Sequence, residues 1–276
     1  MKTKTVAPFL KWVGGKRQLM PYIKEMLPDT FSTYFEPFVG GGAVLFDLQP
    51  EKAIINDYNA ELVNVYNCIK NKPQELIKDL KKHKNESEYF YALRLLDRKE
   101  GFQKLSDIKK ASRVIYLNKT CYNGLYRVNA SGEFNSPFGR YKKPNIVNEE
   151  TILAVSEYLN SGDVGILNCD FEEAVRSAKK DDFVYFDPPY DPVSKSASFT
   201  GYVSGGFGRE EQVRLRDLCD KLDKAGVKFM LSNSATAFIE DLYKAYDVVH
   251  VKANRFINSN AQKRGAINEV IIRNYG

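Results

Sequence analysis

Seven short apolar runs, spread along the 276 residues, most constrain how this chain can fold. Each is rich in Val, Ile, Phe or Tyr and is bounded by turn residues or acids, a composition typical of buried strands. Helical patterns alternate with these runs at both ends of the chain. This alternation predicts an α/β fold with a doubly wound, mostly parallel, seven-stranded sheet. The runs are Tyr34–Phe38, Ala53–Asn56, Gly165–Cys169, Phe183–Phe186, Val227–Ser232, Val248–Val251 and Val270–Arg273.

The alternation is interrupted between about residues 59 and 149. This stretch carries only helical patterns, such as Glu88–Lys99 and Ser106–Lys119, followed by a polar segment rich in Gly and Asn. A sheet that resumes after such an interruption indicates an inserted domain. We therefore predict one domain formed by residues 1–58 and 145–276, with an insert of helices and a polar segment at residues 59–144.

Basic residues are concentrated in the second half of this insert. Residues 109–143 contain eight Lys or Arg and one Glu, whereas residues 144–191 contain eleven acids and three bases. Clustered cations displace counterions from nucleic acid, so the pattern predicts a surface that follows phosphates. A solvated basic helix face would give the same count, and the residues alone leave that alternative open.

Composition argues against several classes of site. The four cysteines are far apart and form no CxxC pair, which speaks against a zinc site or a disulfide scaffold. The chain has only two histidines, so Ser-His-Asp catalysis and histidine-rich metal sites are not favoured, and we expect no metal. No apolar run reaches 18 residues and no apolar leader opens the chain, so we expect a cytoplasmic protein without a membrane contact.

Two motifs follow the first two predicted strands. Glu36–Gly42 places glycines where the backbone must turn tightly or let a ligand approach closely. Asp57 ends the next strand, 17 residues after Gly40, where an acid can bond ribose hydroxyls. The plain alternatives are a tight strand-to-helix connection for the glycines and an N-cap for Asp57. The spacing of the two motifs favours ligand binding.

The motif Asp187-Pro188-Pro189-Tyr190 follows the fourth predicted strand. Two prolines cannot continue a central strand ladder, so the backbone turns outward rigidly. Such a turn directs the Asp187 carboxylate and the Pro188 carbonyl to one place, with the Tyr190 ring beside them. Two acceptors and a ring suit a planar heterocycle with an exocyclic amine. A proline-rich turn without function is the alternative.

Together with Glu36–Gly42 and Trp12–Lys16, this motif resembles the Dam-type adenine-N6 DNA methyltransferases. Tyr122–Arg127 and Gly132–Tyr141 are similar to that family's DNA-recognition hairpin, and the resemblance covers nearly the whole chain. It implies a methyltransferase-like sheet and methyl transfer from S-adenosylmethionine to N6 of adenine in double-stranded DNA, with GATC as the target. It also implies a prokaryotic or phage-encoded enzyme associated with the nucleoid. The resemblance leaves open whether a restriction endonuclease accompanies the enzyme. It also leaves open whether the enzyme is a monomer or a weak dimer.

The resemblance also implies which residues form the site. Asp57 would bind the cofactor ribose, Asp170 the adenine amine, and Gly40 the methionine moiety. The other implied cofactor contacts are Trp12, Lys16, Phe38, Phe171 and Asp187. The implied catalytic residues are Asp187, Pro188 and Tyr190.

The chemistry of the Asp187 turn can be argued from the residues themselves. An adenine amino nitrogen is a poor nucleophile because its lone pair is delocalised into the ring. Hydrogen bonds to the Asp187 carboxylate and the Pro188 carbonyl favour a pyramidal nitrogen that attacks the methyl group directly, so orientation and electrostatics dominate. Flipping the base out of the duplex costs about a few kcal/mol, which Tyr190 stacking can offset. Cytosine-C5 methylation needs a cysteine after a proline, and no cysteine here follows one.

Polar and basic residues of the insert and the N-terminal segment are candidates for DNA contact. We expect Arg127 to read guanine, which GATC carries on each strand, and Arg140 to bind phosphate. For Tyr122 and Leu125 the alternative is a place in the hairpin core. The remaining candidates are Lys11, Asn123, Asn135 and Pro137.

Two rival functions remain at this point. The turn at Asp187 would equally suit an enzyme that methylates an exocyclic amine of RNA, although the basic insert favours duplex DNA. A catalytically inactive DNA-binding homologue is the second rival, and the intact Asp187 and Tyr190 argue against it.

Overall fold

Seven strands form a single sheet in the computed structural model, which describes residues 5–12, 14–16, 18–193, 206–254 and 266–276. The strand order is β3-β2-β1-β4-β5-β7-β6. Neighbours from β3 to β5 are parallel, and β7 is antiparallel to both β5 and β6. The predicted doubly wound, mostly parallel sheet is confirmed. The strands are β1 (Tyr34–Glu36), β2 (Lys52–Asn56), β3 (Asp163–Leu167), β4 (Phe183–Phe186), β5 (Lys228–Ser234), β6 (Asp247–Asn254) and β7 (Ala266–Arg273).

Apolar side chains on both faces explain why the inner strands are buried. Along β4, Phe183 and Tyr185 lie in one hydrophobic cluster, whereas Val184 and Phe186 lie in the other. Successive side chains of a strand point to opposite faces, so a continuous apolar run fills two cores at once. Helices therefore cover both faces of the sheet.

Helices connect the strands, and local side chains set where several of them begin. The side chain of Asn59 accepts a hydrogen bond from the Leu62 N–H at the start of α3, and Ser106 and Thr236 cap α6 and α10 in the same way. The helices are α1 (Met20–Glu25), α2 (Ala43–Leu48), α3 (Ala60–Asn71), α4 (Pro73–Leu80), α5 (Ser87–Arg94), α6 (Asp107–Thr120), α7 (Glu149–Ser161), α8 (Phe171–Ala174), α9 (Arg209–Lys224) and α10 (Ala237–Leu242).

The predicted insert contains α3 to α6 and a polar loop region before α7. Two isolated antiparallel bridges, Cys121↔Phe138 and Val128↔Phe134, pair the two sides of this loop region as a hairpin. Tyr66 of α3 and Tyr116 of α6 belong to the same hydrophobic cluster as Tyr185 of the sheet. The insert thus packs directly on the sheet, and its separation as a domain at residues 59–144 stays a prediction.

Candidate active site

The carboxyl ends of four neighbouring strands bring the predicted motifs to one edge of the sheet. In spatial order, Asp170 follows β3, Asp57 follows β2, the Gly40–Gly42 turn follows β1, and Asp187 follows β4. Ligands of open α/β sheets bind at this edge. Gly40 and Asp187 are 147 residues apart in sequence, and the parallel strand order places the motifs in one row.

The glycine turn after β1 adopts a conformation that only glycine tolerates easily. Gly40 and Gly42 have φ values of 48° and 72°. A Cβ atom on Gly42 would lie 2.6 Å from the Tyr66 hydroxyl oxygen, and one on Gly40 would lie 2.8 Å from the Trp12 ring. The turn therefore needs glycine at both positions, for its φ angles and for its close contacts.

The Asp57 carboxylate is fixed by two backbone N–H groups. Its Oδ2 accepts from Gly40 at 3.0 Å, and its Oδ1 accepts from Asn59 at 2.9 Å. Burial raises the pKa of Asp57 to about 6, although both hydrogen bonds favour the charged form. Each carboxylate oxygen keeps acceptor capacity for a further donor such as a hydroxyl. The N-cap of α3 is Asn59, so the structure does not support the alternative that Asp57 is this cap.

The Asp187 carboxylate lies between a buried ammonium group and a buried hydroxyl. Lys16 Nζ is 2.7 Å from its Oδ2, and the Ser232 hydroxyl donates to its Oδ1 at 3.2 Å. The same Nζ donates to the Gly14 carbonyl at 2.6 Å and lies 5.0 Å from the centre of the Tyr190 ring. The structure thus brings Lys16, Asp187 and Tyr190 together, while Val13 of the N-terminal motif lies outside the described residues.

Burial and neighbouring charge shift the pKa of Asp187 in opposite directions. Burial raises the pKa of this carboxyl group, while the charge of Lys16 and the hydrogen bonds from Lys16 and Ser232 act in the opposite direction. The buried Glu36 nearby accepts a hydrogen bond from the Tyr34 hydroxyl at 2.9 Å, and burial raises the pKa of Glu36 to about 8. At neutral pH Glu36 is therefore mostly protonated, which limits repulsion of the Asp187 charge.

A polar network holds the turn after β4 in place. The buried Gln212 side chain donates to the Pro189 carbonyl at 2.8 Å, and the buried Asn233 side chain accepts from the Asp191 N–H at 3.0 Å. Asn233 also donates to Gln212 at 3.1 Å. The rigid turn inferred from the two prolines is thus anchored to α9 and β5.

Asp170 and Phe171 lie at the other end of the row. Asp170 caps α8 through its own carboxylate, which accepts from the Glu172 N–H at 2.9 Å, and is also ion-paired with Arg214. The Phe171 ring packs against Phe38, with ring centres 5.5 Å apart. The predicted aromatic contacts Phe38 and Phe171 are therefore neighbours.

The predicted DNA contacts lie on the hairpin and beside it. Arg127 donates from Nε to the Asn135 side chain at 2.7 Å, and the Asn135 N–H donates to the Arg127 carbonyl at 2.9 Å. Tyr122 is 57% exposed, so its ring is not part of the hairpin core, whereas Leu125 is half-buried. The other exposed candidates are Lys11, Asn123, Pro137 and Arg140.

Two contacts join the N-terminal segment to the hairpin. The buried Asn118 amide accepts from the Lys11 N–H at 3.0 Å and donates to the Lys11 carbonyl at 2.7 Å and the Gly124 carbonyl at 3.1 Å. Trp12 stacks on Tyr126, with ring centres 4.9 Å apart and planes 26° apart. Since Trp12 also lies against Gly40, one segment contacts both the hairpin and the glycine turn.

The described residues contain no group of three His, Cys, Asp or Glu side chains arranged to hold a metal ion. Across the same part of the chain, no helix is long and apolar enough to cross a membrane.

Comparison with known proteins identifies the family. A model of the D12 class of N6 adenine-specific DNA methyltransferases matches residues 12–257. The chain belongs to this class. It is therefore an adenine-N6 DNA methyltransferase with DNA as its substrate, as the motif resemblance predicted, and membership implies S-adenosylmethionine as the methyl donor.

Relatives of this methyltransferase match over nearly their full lengths. It is 48% identical over 271 residues to Type II methyltransferase M1.LlaDCHI of Lactococcus lactis subsp. cremoris, covering 98% of this chain and 95% of the relative. It is 44% identical to Type II methyltransferase M.MjaIII of Methanocaldococcus jannaschii, covering 98% and 99%. It is 36% identical to the DNA adenine methylase of Serratia marcescens, covering 95% and 96%.

Sequence reasoning missed three polar side chains of this candidate site. Ser232 ends the predicted fifth strand beside β4, so its position next to Asp187 could have been found from the parallel order. Arg214 lies on α9, and Asn118 lies on α6. No local motif marks their roles, because Asp170 is 44 residues from Arg214 and Lys11 is 107 residues from Asn118.

Lys16→Met should shift the acid limb of the pH–rate profile to higher pH. The charge of Lys16 favours ionised Asp187, so its loss leaves burial, which favours the protonated carboxyl that accepts hydrogen bonds poorly. Neighbouring Glu36, Tyr185 and Tyr190 supply no cation in its place. Measuring kcat/KM from about pH 5 to pH 9 tests this. Lys24→Met, which removes a half-exposed lysine paired with Asp47, is the control. Coincident acid limbs for wild type and Lys16→Met would contradict the role of Lys16.

Proposed function

We propose that this enzyme transfers a methyl group from S-adenosylmethionine to N6 of adenine in duplex GATC, by flipping the base and attacking directly. The proposal rests on one row of residues, formed by Asp170, Asp57, the glycine turn and Asp187. Groups suited to the cofactor lie along this row, and the turn suited to the target adenine lies at its Asp187 end. The resemblance to the Dam-type family favours GATC as the target.

The residues along the row fit the chemical groups of the cofactor. Asp57 keeps acceptor capacity for ribose hydroxyls, and the Gly40–Gly42 turn offers its backbone with no side chains of its own. Asp170 and Phe171 offer an acceptor and a ring for the adenine, with Phe38 beside the ring. Trp12 borders the row at Gly40, and Lys16 borders it at Asp187. When bound, S-adenosylmethionine supplies an electrophilic sulfonium methyl group.

The Asp187 turn suits the target adenine. Its carboxylate and the Pro188 carbonyl accept hydrogen bonds from the N6 amine, which directs the nitrogen lone pair away from the ring. Tyr190 provides a stacking surface, and its hydroxyl donates to Glu269 of β7 at 3.2 Å, which fixes the ring. A base inside a duplex cannot reach this turn, so it must flip out, at a cost of about a few kcal/mol.

The hairpin supplies the contacts to duplex DNA. Arg127, Asn123 and Arg140 are exposed candidate residues of this hairpin. Arg127 contacts the guanine edge, Arg140 binds a phosphate, and Asn123 donates to a base or a phosphate. The exposed Tyr122 and half-buried Leu125 can fill the space that the flipped adenine leaves. Lys11 adds a cation beside Gly124, and Asn135 and Pro137 border the same loop.

Digestion of DNA from cells that express the enzyme tests this function. Resistance to an endonuclease blocked by N6-methylated GATC, with continued cleavage of unrelated sites, is the expected result. Purified enzyme, S-adenosylmethionine and matched duplex DNA and RNA should give methylation of DNA alone. Methylation of RNA, or of adenines outside GATC at equal rates, would contradict the proposal.

Arg140→Ala should weaken binding to all duplexes alike and reduce the log–log slope of affinity against salt by about one. A lost phosphate contact removes counterion release but no sequence information. Affinity for GATC and altered duplexes at several salt concentrations provides the measurement. Lys52→Ala is the control, since Lys52 is exposed at the amino end of β2, on the opposite edge of the sheet. An unchanged salt slope for Arg140→Ala would contradict the assignment.

A further inference from the structure

The Arg214 guanidinium covers the ring proposed to hold the cofactor adenine. Its Cζ lies 4.2 Å from the centre of the Phe171 ring, and its Nη2 is ion-paired with the Asp170 carboxylate. Asp170 and Phe171 are the two residues that we propose for the adenine amine and ring. A guanidinium is planar and donates N–H bonds, so it satisfies the same acceptor and the same ring as an adenine would.

Other side chains enclose the remaining surface of Phe171. Phe38 and Phe207 lie with ring centres 5.5 Å and 6.0 Å from it, and they also contact each other. Phe171 is only 5% exposed, so an adenine can stack on it only if a neighbour moves. The Arg214 side chain is 38% exposed and lies on the solvent side, so it can move without opening the hydrophobic core.

Arg214 has two further partners on the same surface. Its Nε is 2.8 Å from Glu172 Oε1, and its Nη1 is 2.8 Å from Glu211 Oε2. A guanidinium that leaves Asp170 and Phe171 can keep these two carboxylates. Its charge therefore stays paired during the exchange.

The proposed target position shows a similar arrangement. There the Lys16 ammonium lies 2.7 Å from the Asp187 carboxylate and 5.0 Å from the centre of the Tyr190 ring. At each of the two positions, a basic side chain of this chain contacts the carboxylate and the ring assigned to an adenine.

We propose that Arg214 holds the place of the cofactor adenine and is displaced when the cofactor binds. This inference rests on the proposed cofactor site and describes its regulation. The guanidinium and the adenine compete for Asp170 and Phe171. The cofactor affinity is therefore the affinity of the uncovered site multiplied by the fraction of molecules in which Arg214 leaves the site uncovered. Removing the side chain should therefore tighten binding.

Calorimetric titration with S-adenosylhomocysteine tests the competition. This product is a zwitterion, so losing a protein charge does not by itself change its net attraction. Arg214→Ala should bind it about 3- to 10-fold more tightly than wild type. Arg216→Ala is the matched control, because it removes the same charge from α9 and its partners are Asp217 and Asp220. It should bind as wild type does.

Salt gives a second measurement. Raising salt from about 50 mM to about 500 mM weakens the Arg214–Asp170 ion pair, so wild-type affinity should rise toward that of Arg214→Ala, whose own affinity should stay constant. Arg214→Lys retains the charge but loses the planar stack, and it should also bind more tightly than wild type. It decides the question if Arg214→Ala does not fold.

Equal or weaker binding by the Arg214 variants would overturn the inference, because Arg214 would then be neutral or would support the adenine. This failure differs from failure of the proposed function. If the proposed cofactor site is wrong, Asp57→Ala will bind S-adenosylhomocysteine as tightly as wild type does. If only the role of Arg214 is wrong, Asp57→Ala will bind it more weakly than wild type.

Discussion

Asp187→Ala should reduce methylation of a GATC duplex by at least about 10³-fold, while S-adenosylhomocysteine still binds with lowered affinity. Asp187 is the charged acceptor proposed for the reactive amine, so its loss removes the group that orients the nitrogen. Asp57, Asp170 and the glycine turn, which we propose as the donor site, lie at the neighbouring strand ends and are unchanged in this variant. Single-turnover methylation and calorimetric titration measure the two effects separately.

Three variants show whether the loss is chemical or structural. Asp187→Asn keeps an acceptor oxygen but loses the charge opposite Lys16, so its rate should lie between those of wild type and Asp187→Ala. Asp187→Ala leaves the Lys16 ammonium buried without its carboxylate, which destabilises the fold. Adding Lys16→Met should restore the unfolding temperature but not the activity. Asp163→Ala, at the exposed amino end of β3, should be as active as wild type. Near wild-type turnover by Asp187→Ala would refute the proposed role.

The strands were predictable because each carries its own apolar signal. All seven predicted runs overlap a strand, since the buried residues of an α/β sheet form continuous apolar stretches. The strand ends were less predictable. β6 and β7 pair from Asp247↔Arg273 to Asn254↔Ala266, well beyond the apolar cores Val248–Val251 and Val270–Arg273. Backbone hydrogen bonds continue this antiparallel pair beyond its apolar residues, and the sequence carries no strand signal there.

Two short helices, α2 and α8, were not predicted from the sequence. α2 has six residues and α8 has four, so neither spans enough turns to show a helical period. Both begin directly after site motifs, where the glycine turn and Asp170 set the backbone. The sequence shows the motifs there but not the helices that they start.

The candidate site was also predictable only in part. Its turns depend on local sequence, whereas the partners of its carboxylates depend on contacts between distant segments. The glycine turn and the Asp187 turn are visible in the sequence because glycine and proline restrict their own backbone. The partners of the site carboxylates are not visible, because they depend on how distant segments meet. Lys16 reaches Asp187 from the N-terminal segment, and Arg214 reaches Asp170 from α9. These pairs form only when the N-terminal segment and α9 pack against the strand ends, which no local pattern in the sequence shows.

Arg127→Ala should lose discrimination between GATC and duplexes with one altered guanine pair by about 5- to 150-fold, or about 1–3 kcal/mol. The Arg127 Nε is held by the Asn135 side chain at 2.7 Å. This bond orients the guanidinium and leaves its two terminal nitrogens for O6 and N7 of guanine. Single-turnover rates on GATC and on singly altered duplexes measure the ratio.

Asn135 supplies an independent check of that orientation. Asn135→Ala removes the bond to Nε but keeps the guanidinium, so discrimination should fall by less than in Arg127→Ala. If Asn135 acts through Arg127, the double variant should match Arg127→Ala, whereas a further loss in the double variant would show that Asn135 contacts DNA itself. Arg140→Ala is the comparison from the same hairpin and should slow methylation of all duplexes by a similar factor. If Arg127→Ala also slows every duplex equally, Arg127 binds the backbone, and guanine is read by another residue.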